Sequence, residues 1–159
     1  VNYRSVFYQT EQEALSVLRT SLQWADIVKV TEEELDLLTG GRGKEHVRQL
    51  LDGAASLVLV TRGSEGCDYY TREFCGHVDA MRVSVVDTVG AGDCFLGGFL
   101  SWMLQNTNLD GWRQEEVRAA CLYGNRAAGL SVQKTGAMSS VPTCLDMQKL
   151  YKELEDGLK

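Results

Sequence analysis

The residues with the most chemical content are Gly90-Ala91-Gly92-Asp93, which set an anion-binding backbone and a carboxylate at one point of the chain. They follow the β-branched run Val83-Ser84-Val85-Val86 and lead into a stretch where Phe95, Phe99 and Met103, and likewise Leu96, Leu100 and Leu104, recur at helical spacing. That spacing predicts a strand, a tight turn, and a helix that starts near Gly92 and buries one face. The first N–H groups of a helix lack partners and carry a partial positive charge, so a turn almost without side chains can close its amides on an anion. A loop built only for a phosphate would not also hold Asp93, because two anions there repel. The arrangement makes sense if a neutral hydroxyl lies between them. Asp93 then accepts the hydroxyl proton while the amides of Gly90, Ala91 and Gly92 hold the charge that develops on a transferred phosphoryl group. Such an Asp is a weak base that orients the nucleophile and takes its proton late. Two competing readings are a plain strand–helix turn with Asp93 as N-cap, and a dinucleotide turn, which would need glycine where the chain has Phe95. Cys94 beside it could be read as a nucleophile, but no base stands within the motif.

The elements that must position this turn alternate between strand and helix. Val1 to Phe7 reads as a strand, and Thr10 with Glu13 and Thr31 with Glu34 form T-x-x-E capping boxes that open two helices. Ile27 to Val30 is a short buried strand, Gly40-Gly41 closes the helix after Glu32, and a third helix spans about Lys44 to Leu51. Leu57-Val58-Leu59-Val60-Thr61 is continuously apolar, as a strand covered on both faces is. Cys67 to Thr71 and Gly76 to Ala80 form a more exposed hairpin. Asn106 to Gly111 is a loop, Gln114 to about Leu130 a long helix with small residues, Lys134 to Pro142 a loop, and Thr143 with Asp146 opens a last helix. The order implies an α/β fold with a mainly parallel sheet.

Thr61-Arg62-Gly63-Ser64-Glu65-Gly66 follows the buried strand at its carboxyl end, where ligands bind in open α/β sheets. Taken alone it is a turn. Glu34 alone is the partner in a capping box, Asp87 alone caps its own turn, and Asn125 alone is a solvated amide.

With Asp87-Thr88-Val89-Gly90-Ala91-Gly92-Asp93 the chain resembles the ribokinase-like sugar kinases, whose D-T-x-G-A-G-D signature this string matches. The resemblance implies a three-layer fold and ATP-dependent transfer of the γ-phosphoryl group to a sugar hydroxyl. It makes Asp93 the catalytic base in contact with the sugar, and makes Gly90, Ala91 and Gly92 the anion hole. Thr61, Gly63, Ser64 and Gly66 match the family's T-x-G-x-x-G nucleotide segment, and Asn125 and Gly129 are placed beside the adenine, with Ala128 in the same wall. Glu34 matches the Glu of an N-x-x-E motif that organises Mg2+ and phosphates through water, with Thr31 where Asn is usual. Asp87 is implied in a monovalent-cation (K+) site, with the carbonyls of Val89, Ser131, Lys134 and Gly136 and the side chain of Ser140. Asn2-Tyr3-Arg4 resembles the D-x-N-x-R strand of fructokinase-like and 2-keto-3-deoxygluconate kinase-like members, which gives Arg4 to the substrate. Fructose is therefore the expected sugar, with 2-keto-3-deoxygluconate or another sugar or nucleoside as the alternative.

The match covers the carboxyl-terminal half of such a kinase. The expected partner is the amino-terminal half, with its lid and most of the sugar site, and the whole protein is expected to be a homodimer. Without that half, water exclusion is lost and the piece should be a poor kinase. A non-catalytic nucleotide-binding or assembly module is the rival of another class. Composition narrows the remaining choices. With 44% apolar residues, the 159-residue chain can bury a core, and a single globular unit is expected. No run of about 18 apolar residues occurs and the opening Val1-Asn2-Tyr3-Arg4 is no leader, so neither a membrane span nor an export signal is expected. A net charge of −6, with 16 scattered basic residues against 22 acidic ones, argues against a nucleic-acid face. Cys67, Cys75, Cys94, Cys121 and Cys144 show no C-x-x-C pair, which fits reduced thiols in a cytoplasm.

Overall fold

The computed structural model describes residues 1, 3–108, 110–143, 145–149 and 152, so Asn2, Leu109, Cys144, Leu150, Tyr151 and residues 153–159 lie outside the described residues. The chain divides into two compact units, residues 1–62 with 68–76, and residues 63–67 with 77–159.

The first unit is built on two strands, β1 (Ile27–Thr31) and β2 (Leu57–Thr61), paired in parallel with Ile27 opposite Leu57 and Thr31 opposite Thr61. Leu57 to Val60 are all buried, so both faces of β2 are covered, as the unbroken apolar run requires. Helices α1 (Glu11–Leu22), α2 (Glu32–Thr39) and α3 (Lys44–Leu51) supply the packing. Val28, Val30, Val58 and Val60 share a core with Leu35, Leu38, Val47 and Leu51, and Leu15, Leu18 and Leu22 close over it. The Thr10 hydroxyl accepts the Glu13 N–H at 3.1 Å, but the Glu13 carboxylate accepts from Gln9 rather than Thr10. At α2 the box is complete, and Gly40 ends the helix in the left-handed region at φ 81°.

A hairpin of β3 (Cys67–Tyr70) and β4 (Cys75–Val78) extends the sheet in the order β1-β2-β3-β4. The link from Arg62 to Gly66 is too short for a crossover, so β3 cannot continue the parallel pairing. The four strands of this chain therefore make a mixed sheet, in which β1 and β2 are the parallel pair. Val1 to Phe7 does not form the expected strand. Val1 reaches β1 through a 2.6 Å bond to the Lys29 carbonyl, while Ser5–Phe7 coil into a 3-10 turn with Val6 and Phe7 exposed.

In the second unit, α4 (Ala91–Asn106) packs along α5 (Gln114–Ser131). The helices approach closely because Gly98 and Gly124 face each other: a Cβ on Gly98 would lie 2.9 Å from the Ala127 Cβ, and one on Gly124 2.7 Å from the Phe95 carbonyl. Phe95, Phe99 and Met103 are buried there with Val117, Ala120 and Cys121. The leucine row was expected to share that face, but Leu100 is 36% and Leu104 69% exposed. Val83 to Val86 make no ladder either. Among the described residues their backbone anchor is the Val132 carbonyl after α5, which accepts the N–H of Val86 at 2.7 Å, and Val85 and Val86 stay exposed. A β-branched run becomes a strand only where a neighbour offers a row of backbone groups, and a single carbonyl is not a ladder. Among the described residues no helix is long and apolar enough to cross a membrane.

Candidate active site

The turn before α4 is set by Gly90, the N-cap, at φ 83°. A side chain there would be strained by the left-handed backbone, and its Cβ would stand 3.1 Å from the Ala137 Cα. Asp93 is therefore the third residue of the helix and not its N-cap. Its carboxylate is exposed, with no hydrogen bond or ion pair among the described residues. Of the three amides expected in the anion hole, that of Ala91 is engaged, donating to the Thr88 carbonyl at 3.2 Å. The N–H groups of Gly90, Gly92 and Asp93 find no acceptor among the described residues, so Asp93 contributes an amide that the motif reading did not count. Cys94 is buried against the helix pair, which removes it as a nucleophile.

Asp87 joins this turn to the loop after α5. One oxygen accepts the Val89 N–H at 3.0 Å and the other the Gly136 N–H at 2.8 Å. Those two amides, Val89 first, hold the carboxyl below the ordinary aspartate range. Ser131 and Ser140 are both buried, their hydroxyls donating to the carbonyls of Ala128 and Ala137. The Ser131 and Gly136 carbonyls accept from the N–H groups of Lys134 and Ser140 and keep a second lone pair each.

Asn125 is not a solvated amide. It is 7% exposed, and its NH2 group donates to the carbonyls of Val78 and Asp79 at 2.9 and 3.0 Å. Gly129, one turn on, lets Met81 lie against α5, since a Cβ there would meet the Met81 Cβ at 2.9 Å. Gly66 has φ 104°, and a Cβ on it would run into the Val78 carbonyl at 2.1 Å. Asn125 and Gly129 thus seat the chain that follows β4, and Gly66 admits it.

In the first unit, the Thr61 hydroxyl donates to the Val30 carbonyl at 3.3 Å, while Gly63–Glu65 form one 3-10 turn with Ser64 exposed. The three glutamates opening α2 are held in different ways. Glu32 pairs with Arg62 at 2.8 Å. Glu33 is held below the usual carboxylate range by its own backbone N–H and then by Thr31. Glu34 accepts the N–H of Thr31 at 2.9 Å and of Tyr3 at 3.0 Å, one on each oxygen. Arg4 is exposed, just before the 3-10 turn.

Comparison with known proteins decides what this arrangement belongs to. Residues 1–144 match the pfkB family carbohydrate kinase. The chain belongs to the pfkB carbohydrate kinase family. Fructokinase-1 of Oryza sativa subsp. japonica is 37% identical over 154 residues, which is 95% of this chain and 47% of that protein. The structure of an ATP-bound fructokinase from Xylella fastidiosa superposes with a TM-score of 0.87 at 29% identity, over 98% of this chain and 51% of that one. A Vibrio cholerae O395 fructokinase double mutant with fructose, ADP and potassium ion bound gives 0.81 at 30% identity, over 92% and 47%. The fold is thus ribokinase-like, and the chain spans about half the length of the relatives it matches.

Within this pfkB chain the donor sets can be tested against the ions that the resemblance implies. Asp87, Val89 and Gly136 meet around one carboxylate, and the remaining donors of the set are carbonyl and hydroxyl oxygens, which suits a hard, weakly hydrated cation. Both oxygens of Glu34 already accept backbone N–H groups, which leaves each a second lone pair for a water of a hydrated Mg2+. Sequence reasoning missed the Arg62–Glu32 ion pair, whose partners are 30 residues apart with no local pattern to mark them, and it joined Asp87 to Gly136, 49 residues on, only through the family resemblance.

Proposed function

We propose that this chain is the phosphoryl-handling half of an ATP-dependent sugar kinase whose acceptor is fructose. The observation that carries the reading is the exposed Asp93 carboxylate at the start of α4, which, like the N–H groups beside it, has no partner among the described residues. Asp93 orients the sugar hydroxyl and takes its proton as the oxygen attacks the γ-phosphorus. The bond from phosphorus to the bridging oxygen of ADP breaks in line, and the free amides of the turn face the charge on the phosphoryl oxygens. Thr61, Gly63, Ser64 and Gly66 hold the nucleotide, with Asn125 and Gly129 as the wall of its base, and Arg4 meets the sugar. Glu34 would hold Mg2+ through water, and Asp87, Val89, Ser131, Lys134, Gly136 and Ser140 would hold K+. Bound there, such ions would supply positive charge against the phosphates, and the 134–140 carbonyls would hold the cation beside the turn.

The partner in this reading is the remaining half of the same polypeptide, and the whole protein is a homodimer. The exposed Leu100, Leu104, Val85 and Val86 are apolar side chains left for that half to cover. Cys67, Cys75, Cys94 and Cys121 form no disulfide among the described residues, which suits a reducing compartment such as the cytoplasm.

The test is ATP consumption by the complete protein with fructose, 2-keto-3-deoxygluconate and a nucleoside, with and without Asp93→Asn. Loss of a general base costs about 100- to 10,000-fold, and the exposed, unpaired position lets the variant fold. Sugar-dependent turnover near the wild-type rate in Asp93→Asn refutes the assignment. ATP binding without turnover in the wild type favours a non-catalytic nucleotide-binding module.

A further inference from the structure

The nucleotide turn has a structural difficulty that its motif does not solve. Gly63 and Gly66 both sit at positive φ, 56° and 104°, and glycine turns gain their backbone freedom at the cost of many competing conformations. A turn that must be ordered by its ligand binds that ligand more weakly than one already in place. Something outside the glycines has to hold the turn.

Resting on the kinase reading above, we propose that Arg62 is the positioning residue of the nucleotide turn. It stands at the head of the turn, between the last residue of β2 and Gly63. Its guanidinium is directed sideways into the first unit. The Nε donates to Glu32 Oε1 at 3.0 Å, Nη2 lies 2.8 Å from the same oxygen, and Nη1 lies 3.5 Å from Asp68 Oδ2. Asp68 is itself steadied by the Tyr70 hydroxyl at 3.4 Å, and burial, then the Asp68 charge, pushes that phenol up to about 12. The three charged side chains are only 33, 27 and 18% exposed, so solvent screens them less than it would a surface pair. One planar fork thus ties the first turn of α2 and the start of β3 to the residue where the nucleotide turn begins. A lysine could reach one of these carboxylates as a point charge but could not span both. Arg62 acts through the backbone it fixes, not by meeting the phosphates.

The experiment measures the affinity of the complete protein for Mg·ATP by calorimetry and KM for ATP and for fructose by steady-state kinetics. The variants are Arg62→Ala, Arg62→Lys and the double change Glu32→Gln with Asp68→Asn. Arg62→Ala should weaken ATP binding and raise its KM about ten-fold, on the scale of a small misplacement of a binding element, with fructose KM and kcat nearly unchanged. Arg62→Lys should recover part of the loss. The double variant keeps Arg62 and should reproduce the defect, which also covers the case in which Arg62→Ala fails to fold. Equal ATP affinity in wild type and Arg62→Ala overturns the proposal. So does a double variant that binds ATP as well as the wild type, because Arg62 would then be meeting the phosphate directly. A wild type that binds no ATP fails at an earlier step and overturns the kinase reading together with this one.

Discussion

Two glycines seven residues apart provide a matched test of the turn, since the same added methyl group should act in opposite directions. Gly90 is the left-handed N-cap of α4, and Gly97 lies inside that helix with nothing within 4 Å of an added Cβ. At Gly90 an alanine must adopt φ near 83°, which costs an L residue about 1–2 kcal/mol. Its Cβ would also stand 3.1 Å from the Ala137 Cα, so the 134–140 loop has to yield by a few tenths of an ångström. At Gly97 an alanine removes the helix penalty of glycine, worth about 1 kcal/mol. We expect Gly90→Ala to lower and Gly97→Ala to raise stability, a gap of about 2–3 kcal/mol between two chemically identical changes. Urea unfolding of the 159-residue chain followed by circular dichroism reads the gap. Hydrogen exchange at the α4 amides keeps the comparison local, because two compact units need not unfold together. If Gly90→Ala is as stable as the wild type, or if both variants lose stability alike, the assignment of Gly90 to a strained, crowded turn is wrong.

Asn125→Ala strips the donors from the Val78 and Asp79 carbonyls and should cost about 1–3 kcal/mol, with faster exchange of the β4 amides. No stability change would mean that these bonds do not hold the chain after β4. The Asp87 carboxyl is held below its ordinary range, so the tie from the turn to Gly136 contributes above the unfolded aspartate pKa of about 4 and is lost as pH falls through the lower folded value. Asp87→Asn should therefore flatten the acid limb of the stability curve while leaving its neutral-to-alkaline shape alone. An unchanged acid limb would remove the tie. With the complete protein, phosphoryl transfer should run faster in potassium than in sodium or lithium, and equal rates in all three would dismiss the cation site.

Sequence alone determined the features that close within a turn of helix. The Thr31–Glu34 box, the left-handed stop at Gly40, the start of α4 beside Asp93 and the buried run Leu57 to Val60 each depend on residues at most four positions away. Local propensity and capping act on that scale, so their signal survives in a bare string. Tertiary structure decided whatever needed a distant partner. Val1 to Phe7 and Val83 to Val86 have strand-like composition but no neighbouring ladder, and they stay outside the sheet. Leu100 and Leu104 have the same period as Phe99 and Met103, yet only the second row meets α5, because Gly98 and Gly124 set which side of the helix comes close. Arg62 to Glu32, Asp87 to Gly136 and Asn125 to Val78 join residues 30, 49 and 47 positions apart. Such pairs form only after the chain has paid the entropy of closing long loops, so the partner of each is set by where the packed elements leave it and not by the residues beside it in sequence.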